Sequence, residues 1–137
     1  MVEVDPEAEL TVEQLLDQAR ANLDRLTPAQ ASAASEDGAI LIDIRSQPQR
    51  SRDGELPGAR RIARNVLEWR LDPSCADCDP EVARRDRQVI LICNEGYQSS
   101  LAAATVRRFG VDATDVVGGF QAWREVGLPV DTPRRPI

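Results

Sequence analysis

The chain has 137 residues, 42% hydrophobic and 29% charged, with a formal net charge of −6. That length provides one domain with one core, and the acidic balance argues against a general nucleic-acid or anionic-membrane binder. There is no histidine and all 17 basic residues are arginine, which excludes Ser-His, Cys-His and histidine–metal schemes and leaves backbone dipoles, arginines or carboxylates to activate any nucleophile.

No apolar run reaches the length of a membrane span. The acidic start, Met1 to Glu7, has neither the basic nor the apolar region of a signal peptide, so a cytoplasmic location is expected. Cys75, Cys78 and Cys93 are the three cysteines. An odd count without a secretory leader argues against a disulfide framework and for one chemically distinct thiol.

In chain order, residues 1–10 read as an acidic lead-in. Thr11 and Gln14 have capping-box spacing, and Val12, Leu15, Leu16, Ala19 and Leu23 form one helical stripe. Thr27-Pro28 marks a second helix start, running to about Ser35. Residues 39–44 are a short apolar run that reads as a buried parallel strand ending at Asp43-Ile44-Arg45. Residues 46–55 read as a loop and residues 56–59 as a turn; Asn65 and Glu68 have capping-box spacing for a short helix over 66–71. A loop with Cys75-Ala76-Asp77-Cys78 and a helical turn over 81–85 precede a second buried strand, Val89 to Ile92. A five-residue polar loop then leads into a helix over 101–109 stopped by Gly110. A third strand is expected over 115–117, a last helix over 120–126 and a disordered tail over 131–137. Strands alternating with helices predict an α/β domain with a mainly parallel sheet, which binds ligands at the carboxyl ends of its strands. Cys93 and Asp43-Ile44-Arg45 lie at such ends.

Cys93 is the candidate nucleophile. Its thiolate is the reactive form, stabilised by a following helix N-terminus and by a loop whose N–H groups can converge as an anion nest. Gly96 permits a positive φ in that loop, and Ser99 and Ser100 can cap the helix and donate to an anion. On context alone, a small core thiol is the commoner reading of such a cysteine. Asp43 and Arg45 are expected to support the site, Asp43 by hydrogen bonding and Arg45 by positive potential, with a local ion pair as an equal alternative. Tyr97 and Gln98 are expected at the pocket mouth, and Trp69 and Trp123 in the core. A lone C-x-x-C without histidine is too poor in ligands for a zinc site, so no metal or other cofactor is expected.

Four motifs in order resemble the rhodanese homology domain: Ile40-Leu41-Ile42-Asp43-Ile44-Arg45, Gly54-Glu55-Leu56-Pro57-Gly58-Ala59, the loop from Cys93 to Ser99, and Gly118-Gly119-Phe120-Gln121-Ala122-Trp123 followed by Gly127-Leu128-Pro129-Val130. The resemblance implies a three-layer α/β domain around a central five-stranded parallel sheet, spanning residues 27–130 after a lead-in and helix (1–26) and before the tail. It implies a sulfurtransferase in which Cys93 takes sulfane sulfur from thiosulfate, mercaptopyruvate or a persulfide. The resulting persulfide is held by the loop Asn94, Glu95, Gly96, Tyr97, Gln98 and Ser99 and passed to cyanide, a thiol or a protein acceptor. The partners implied are that donor and acceptor, without nucleic acid or membrane, for a monomer or weak homodimer.

Three departures from the family pattern stand out. The loop has no basic residue and carries Glu95, which disfavours a dianionic donor such as thiosulfate unless Arg45, Arg61, Arg64 or Arg70 compensates. Glu55 stands where histidine is common. Ser99 stands where the related phosphatases have the arginine of Cys-x5-Arg, which argues against phosphatase activity. Two other readings stay open: a binding or regulatory module with little turnover, and a thiol redox sensor pairing Cys93 with Cys75 or Cys78.

Overall fold

The computed structural model describes residues 8–132. Four parallel strands form the sheet in the order β2-β1-β3-β4: β1 (Ile40–Asp43), β2 (Arg60–Arg61), β3 (Gln88–Ile92) and β4 (Asp112–Asp115). The helices are α1 (Val12–Arg20), α2 (Pro28–Glu36), α3 (Gln47–Asp53), α4 (Leu67–Leu71), α5 (Gln98–Arg107) and α6 (Gly119–Glu125).

The central strands β1 and β3 are buried on both faces because alternate residues serve two cores. Ile42, Val89, Leu91 and Ala113 pack on one side with Leu67, Leu71, Ala102 and Val106 of α4 and α5. Leu41, Ile90 and Ile92 pack on the other with Ala31 of α2 and Phe120 and Trp123 of α6. Each buried aliphatic or aromatic side chain contributes roughly 1.5–3 kcal/mol of transfer free energy, so the apolar runs at 40–42 and 89–92 hold the sheet's centre. Helix α1 lies outside this sandwich, packed on α5.

The sheet has four strands rather than the expected five. Beyond β4, among the described residues, there is only an isolated parallel bridge between Leu26 and Val116. The reason is local. Thr27 begins the α2 capping box immediately after Leu26, accepting from Gln30 N–H at 3.2 Å, so no length remains for a strand. The last strand lies over 112–115 rather than 115–117.

Other expectations also shift. Residues 47–53, read as loop, are helical; Ser46 and Gln49 form a capping box with Pro48 in the first turn. The box expected from Asn65 and Glu68 does not form, and Glu68 pairs with Arg64 instead. The helical turn expected over 81–85 lies earlier, as a turn over 80–82 with Ala83 N–H on Asp79 O at 2.8 Å. Trp69 is 56% exposed, whereas Trp123 is buried with its indole N–H on Pro129 O at 3.0 Å. Of the α1 stripe only Leu23 is buried; Val12 and Leu15 face solvent. Asp131, placed in the disordered tail, exchanges two backbone hydrogen bonds with Glu55; residues 1–7 and 133–137 lie outside the described residues.

Candidate active site

The carboxyl end of β3 delivers Cys93 into the turn that starts α5. Its side chain is only 5% exposed. Sγ accepts hydrogen bonds from Gly96 N–H at 3.2 Å and Ser99 N–H at 3.4 Å. Gly96 has φ +86°, a left-handed conformation that turns its N–H back onto the sulfur and that other residues adopt only at a cost. Ser99 lies in the first turn of α5, where the helix dipole also favours a negative sulfur. The N–H groups of Asn94, Glu95, Tyr97 and Gln98 make no hydrogen bond among the described residues, so the loop has donors left for an additional anion.

Behind the sulfur runs a buried polar chain. The Cys93 thiol donates to Ser99 Oγ at 3.3 Å, and Ser99 Oγ donates to Asp115 Oδ2 at 2.7 Å. Ser100 Oγ also donates to Asp115 Oδ2 at 2.7 Å. The two serines therefore serve Asp115 rather than capping α5, whose N-cap Tyr97 makes no side-chain capping bond. Asp115 is fully buried and pairs with Arg25 at 2.8 Å.

In front of Cys93 is a cavity of about 250 Å³ whose walls include Arg45, Gln49, Glu95, Tyr97 and Gln98. Tyr97 is 59% exposed at its mouth, and Glu95 and Gln98 also reach solvent. Arg45 and Asp43 form a fully buried ion pair at 2.8 Å. Arg45 also donates to Gly54 O at 2.8 Å and stacks 3.7 Å from the centroid of Phe120. Its Nη1 is the one buried side-chain polar atom without a hydrogen-bond partner among the described residues; the face of Phe120 offsets part of that cost. The Arg45 charge is thus largely taken up by Asp43.

A neighbouring cavity of about 620 Å³ shares Arg45, Gln49 and Gln98 with the first and adds Arg50, Arg61 and Arg64. Of the arginines considered as compensators for Glu95, Arg45, Arg61 and Arg64 therefore stand beside the site. Arg70 is engaged elsewhere, donating to Asp77 O at 2.8 Å.

The Gly118-Gly119 turn fastens the loop from the opposite side. Phe120 N–H donates to Cys93 O at 2.8 Å and Gln121 N–H to Asn94 O at 3.1 Å. Gln121 Nε2 reaches Asn94 Oδ1 at 2.9 Å and Asp53 Oδ2 at 3.3 Å. The hydrogen bond from Arg52 holds the Asp53 carboxyl below the usual carboxylate range, keeping it an acceptor for Gln121.

Cys75 and Cys78 lie in the α4–β3 loop as half-buried free thiols, and no cluster of metal-ligating side chains is found among the described residues. No helix there is long and apolar enough to cross a membrane.

Sequence reading missed three residues of this constellation: Arg20, Arg25 and Asp115. Asp115 carried a usable signal, a carboxylate within an expected buried strand, which demands a partner. The arginines carried none, because they meet the loop 71 to 80 residues further along the chain.

A cysteine ending a parallel strand, under the amides of a strand–loop–helix turn and backed by a Gly-Gly turn, defines the class of the rhodanese-type sulfurtransferases. The rhodanese-like domain family matches residues 27–126, and the chain belongs to that family. Thiosulfate sulfurtransferase GlpE of Pseudomonas aeruginosa (strain LESB58) is 35% identical over 109 residues, 79% of this chain and 89% of the relative. GlpE of Pseudomonas syringae is 34% identical over 101 residues, 73% and 86% of the two chains. Among solved structures, a protein of unknown function described as a possible tyrosine phosphatase, from Rhodopseudomonas palustris, superposes with TM-score 0.81 and 30% identity, covering 96% of this chain and 99% of its own. A rhodanese-related protein of Thermoplasma volcanium shares the fold with TM-score 0.63 and 23% identity, over 77% and 95% of the chains.

Proposed function

We propose that the chain transfers sulfane sulfur through a persulfide on Cys93. The observation that carries this reading is the sulfur itself, held by Gly96 and Ser99 N–H in a loop with four further amides that make no hydrogen bond among the described residues. The Cys93 thiolate attacks the outer sulfur of a donor, forming an S–S bond as the donor's own bond to that sulfur breaks and its electron pair leaves with the remainder, sulfite in the case of thiosulfate. The product, Cys93–S–S⁻, is an anion one atom longer than the thiolate, and the unused amides suit its terminal sulfur as an oxyanion hole suits oxygen. Attack by cyanide or a thiolate on that sulfur returns the Cys93 thiolate.

The relatives named thiosulfate sulfurtransferase put thiosulfate first among donors. The exposed Glu95 at the mouth opposes a dianion, while the arginine-lined cavity beside it attracts an anionic carrier. Mercaptopyruvate or an alkyl persulfide lacks the second charge that thiosulfate carries next to the transferred sulfur, and so opposes Glu95 less. The three thiols, free in the structure, fit a reducing compartment such as the cytoplasm.

The Rhodopseudomonas likeness raises a phosphatase reading, but Ser99 occupies the position where Cys-x5-Arg enzymes place the phosphate-clamping arginine, and its hydroxyl is committed to Asp115.

Incubation with thiosulfate, mercaptopyruvate and glutathione persulfide, followed by intact mass, tests the proposal. One sulfur should load onto the wild type and be removed by cyanide, and Cys93→Ser should not load. Identical behaviour of both proteins with every donor would reject it.

A further inference from the structure

Two arginines from before the family-matched residues reach the active loop. Arg20 closes α1; its Nη2 donates to Gly96 O at 2.8 Å, and its Nε to Ser100 Oγ at 3.0 Å. Arg25 lies just before the Leu26 bridge. Its Nη2 also donates to Gly96 O at 2.8 Å, and its Nε to Asp115 Oδ1 at 2.8 Å. Two guanidinium groups thus converge on one carbonyl, an arrangement that like charges oppose unless an anion lies close. Asp115 supplies that anion.

The clamp has two consequences. A peptide unit is planar with its C=O and N–H opposed, so holding Gly96 O from behind directs Tyr97 N–H away from the arginines. Asp115, fully buried, stands two hydrogen bonds from the sulfur through Ser99. Its negative charge alone would oppose a thiolate, and Arg25 cancels it.

The charged groups around Cys93 come from every neighbouring element. Asp43 and Arg45 at the β1 end pair with each other, and Asp53 pairs with Arg52 and Arg124 on the α6 side. Glu95 belongs to the loop, Asp115 to β4, and Arg20 and Arg25 to the N-terminal segment. Tyr97 lies under Arg20, 5.6 Å from its guanidinium. Without Arg25, Asp115 would stand uncompensated two hydrogen bonds from the sulfur.

We propose that Arg20 and Arg25 are positioning residues of the Cys93 site: they fix the Gly96–Tyr97 peptide and neutralise Asp115, so that a segment outside the family domain completes the anion cradle. The proposal deepens the Cys93 reading and rests on it. Its test measures thiolate reactivity rather than sulfur transfer, so failure here leaves the persulfide reading to the loading experiment.

The full chain is alkylated with iodoacetamide at pH 7 and pH 9. Modification of the Cys93 peptide is followed by mass, which separates it from Cys75 and Cys78. In Arg25→Ala the pH 7 rate should fall roughly tenfold, with a smaller loss at pH 9. Adding Asp115→Asn should return the pH 7 rate to within about threefold of wild type, and Arg25→Lys should fall between Arg25→Ala and wild type. A purely structural role predicts the opposite sign, because a loosened loop exposes the buried thiol and speeds alkylation. An unchanged or faster rate in folded Arg25→Ala overturns the proposal. If Arg25→Ala does not fold, Arg20→Ala decides. Arg20 is half-buried and holds no ion pair among the described residues, and its loss should slow pH 7 alkylation about threefold, with Arg20→Lys restoring part; no slowing overturns the proposal.

Discussion

Gly119→Ala is the sharpest perturbation of the way the active loop is held. Gly119 has φ +59°, and a Cβ there would lie 2.5 Å from Cys93 O and 2.8 Å from Gly96 N. Both are backbone atoms of the sulfur-binding loop, so no side chain can rotate away. The left-handed conformation alone costs an alanine roughly 1–2 kcal/mol. Ordinary contact begins near 3.4 Å, so the loop and the turn must part by roughly 1 Å, an overpacking strain of roughly 1–3 kcal/mol. The sum is about 3 kcal/mol, which at a typical slope moves a urea midpoint down by about 1.5 M. The same displacement pulls Gly96 N–H off the sulfur, and a misplacement of about 1 Å costs on the order of a hundredfold in rate. Gly127→Ala is the control: φ is +83°, but nothing lies within 4 Å of its added Cβ, so it should lose only about 1 kcal/mol of stability and no activity. Urea titration and single-turnover sulfur loading of both variants provide the comparison. If Gly119→Ala is no less stable than Gly127→Ala and loads sulfur at the wild-type rate, the close-approach reasoning is refuted.

Arg45→Met removes the partner of a fully buried carboxylate and should cost about 3–5 kcal/mol, with much of the loss recovered when Asp43→Asn is added, as denaturant titration of the two variants will show. Glu95→Gln removes the carboxylate at the cavity mouth; it should raise kcat/KM for thiosulfate roughly three- to tenfold at low salt and change mercaptopyruvate turnover less, and equal effects on both donors would mean that Glu95 does not set donor order.

The elements on which the site rests could be read from local pattern. The apolar runs of β1 and β3 stated their own burial, and the stretch from Val89 to Ser99 stated strand, thiol and turn, because strand propensity, a break in the apolar run and a glycine are properties of neighbouring residues. The capping box at Thr11 and the helix start at Thr27-Pro28 were legible for the same reason, and the box at Ser46 was present but overshadowed by the polar composition around it. Motif order then supplied the family, because four short patterns in register are far more specific than any one.

Partnership across the chain was not legible. Nothing local distinguishes Arg20 and Arg25, which clamp Gly96, from Arg70, which holds a loop carbonyl, or Arg61, which lines a cavity. All are arginines in polar surroundings, and their roles follow from which strand ends the sheet order brings together. The fifth strand failed because Leu26 runs directly into a helix cap. Ser99 and Ser100 turned from helix caps into ligands of Asp115 because the parallel pairing of β3 with β4 brings the two strand ends together. By itself the sequence determined the placement of Cys93 and the amides around it, since strand, loop and helix there are contiguous. Only the tertiary structure decided which charges surround the sulfur, because electrostatic partners are chosen by distance in space, and spacing along a chain does not record it.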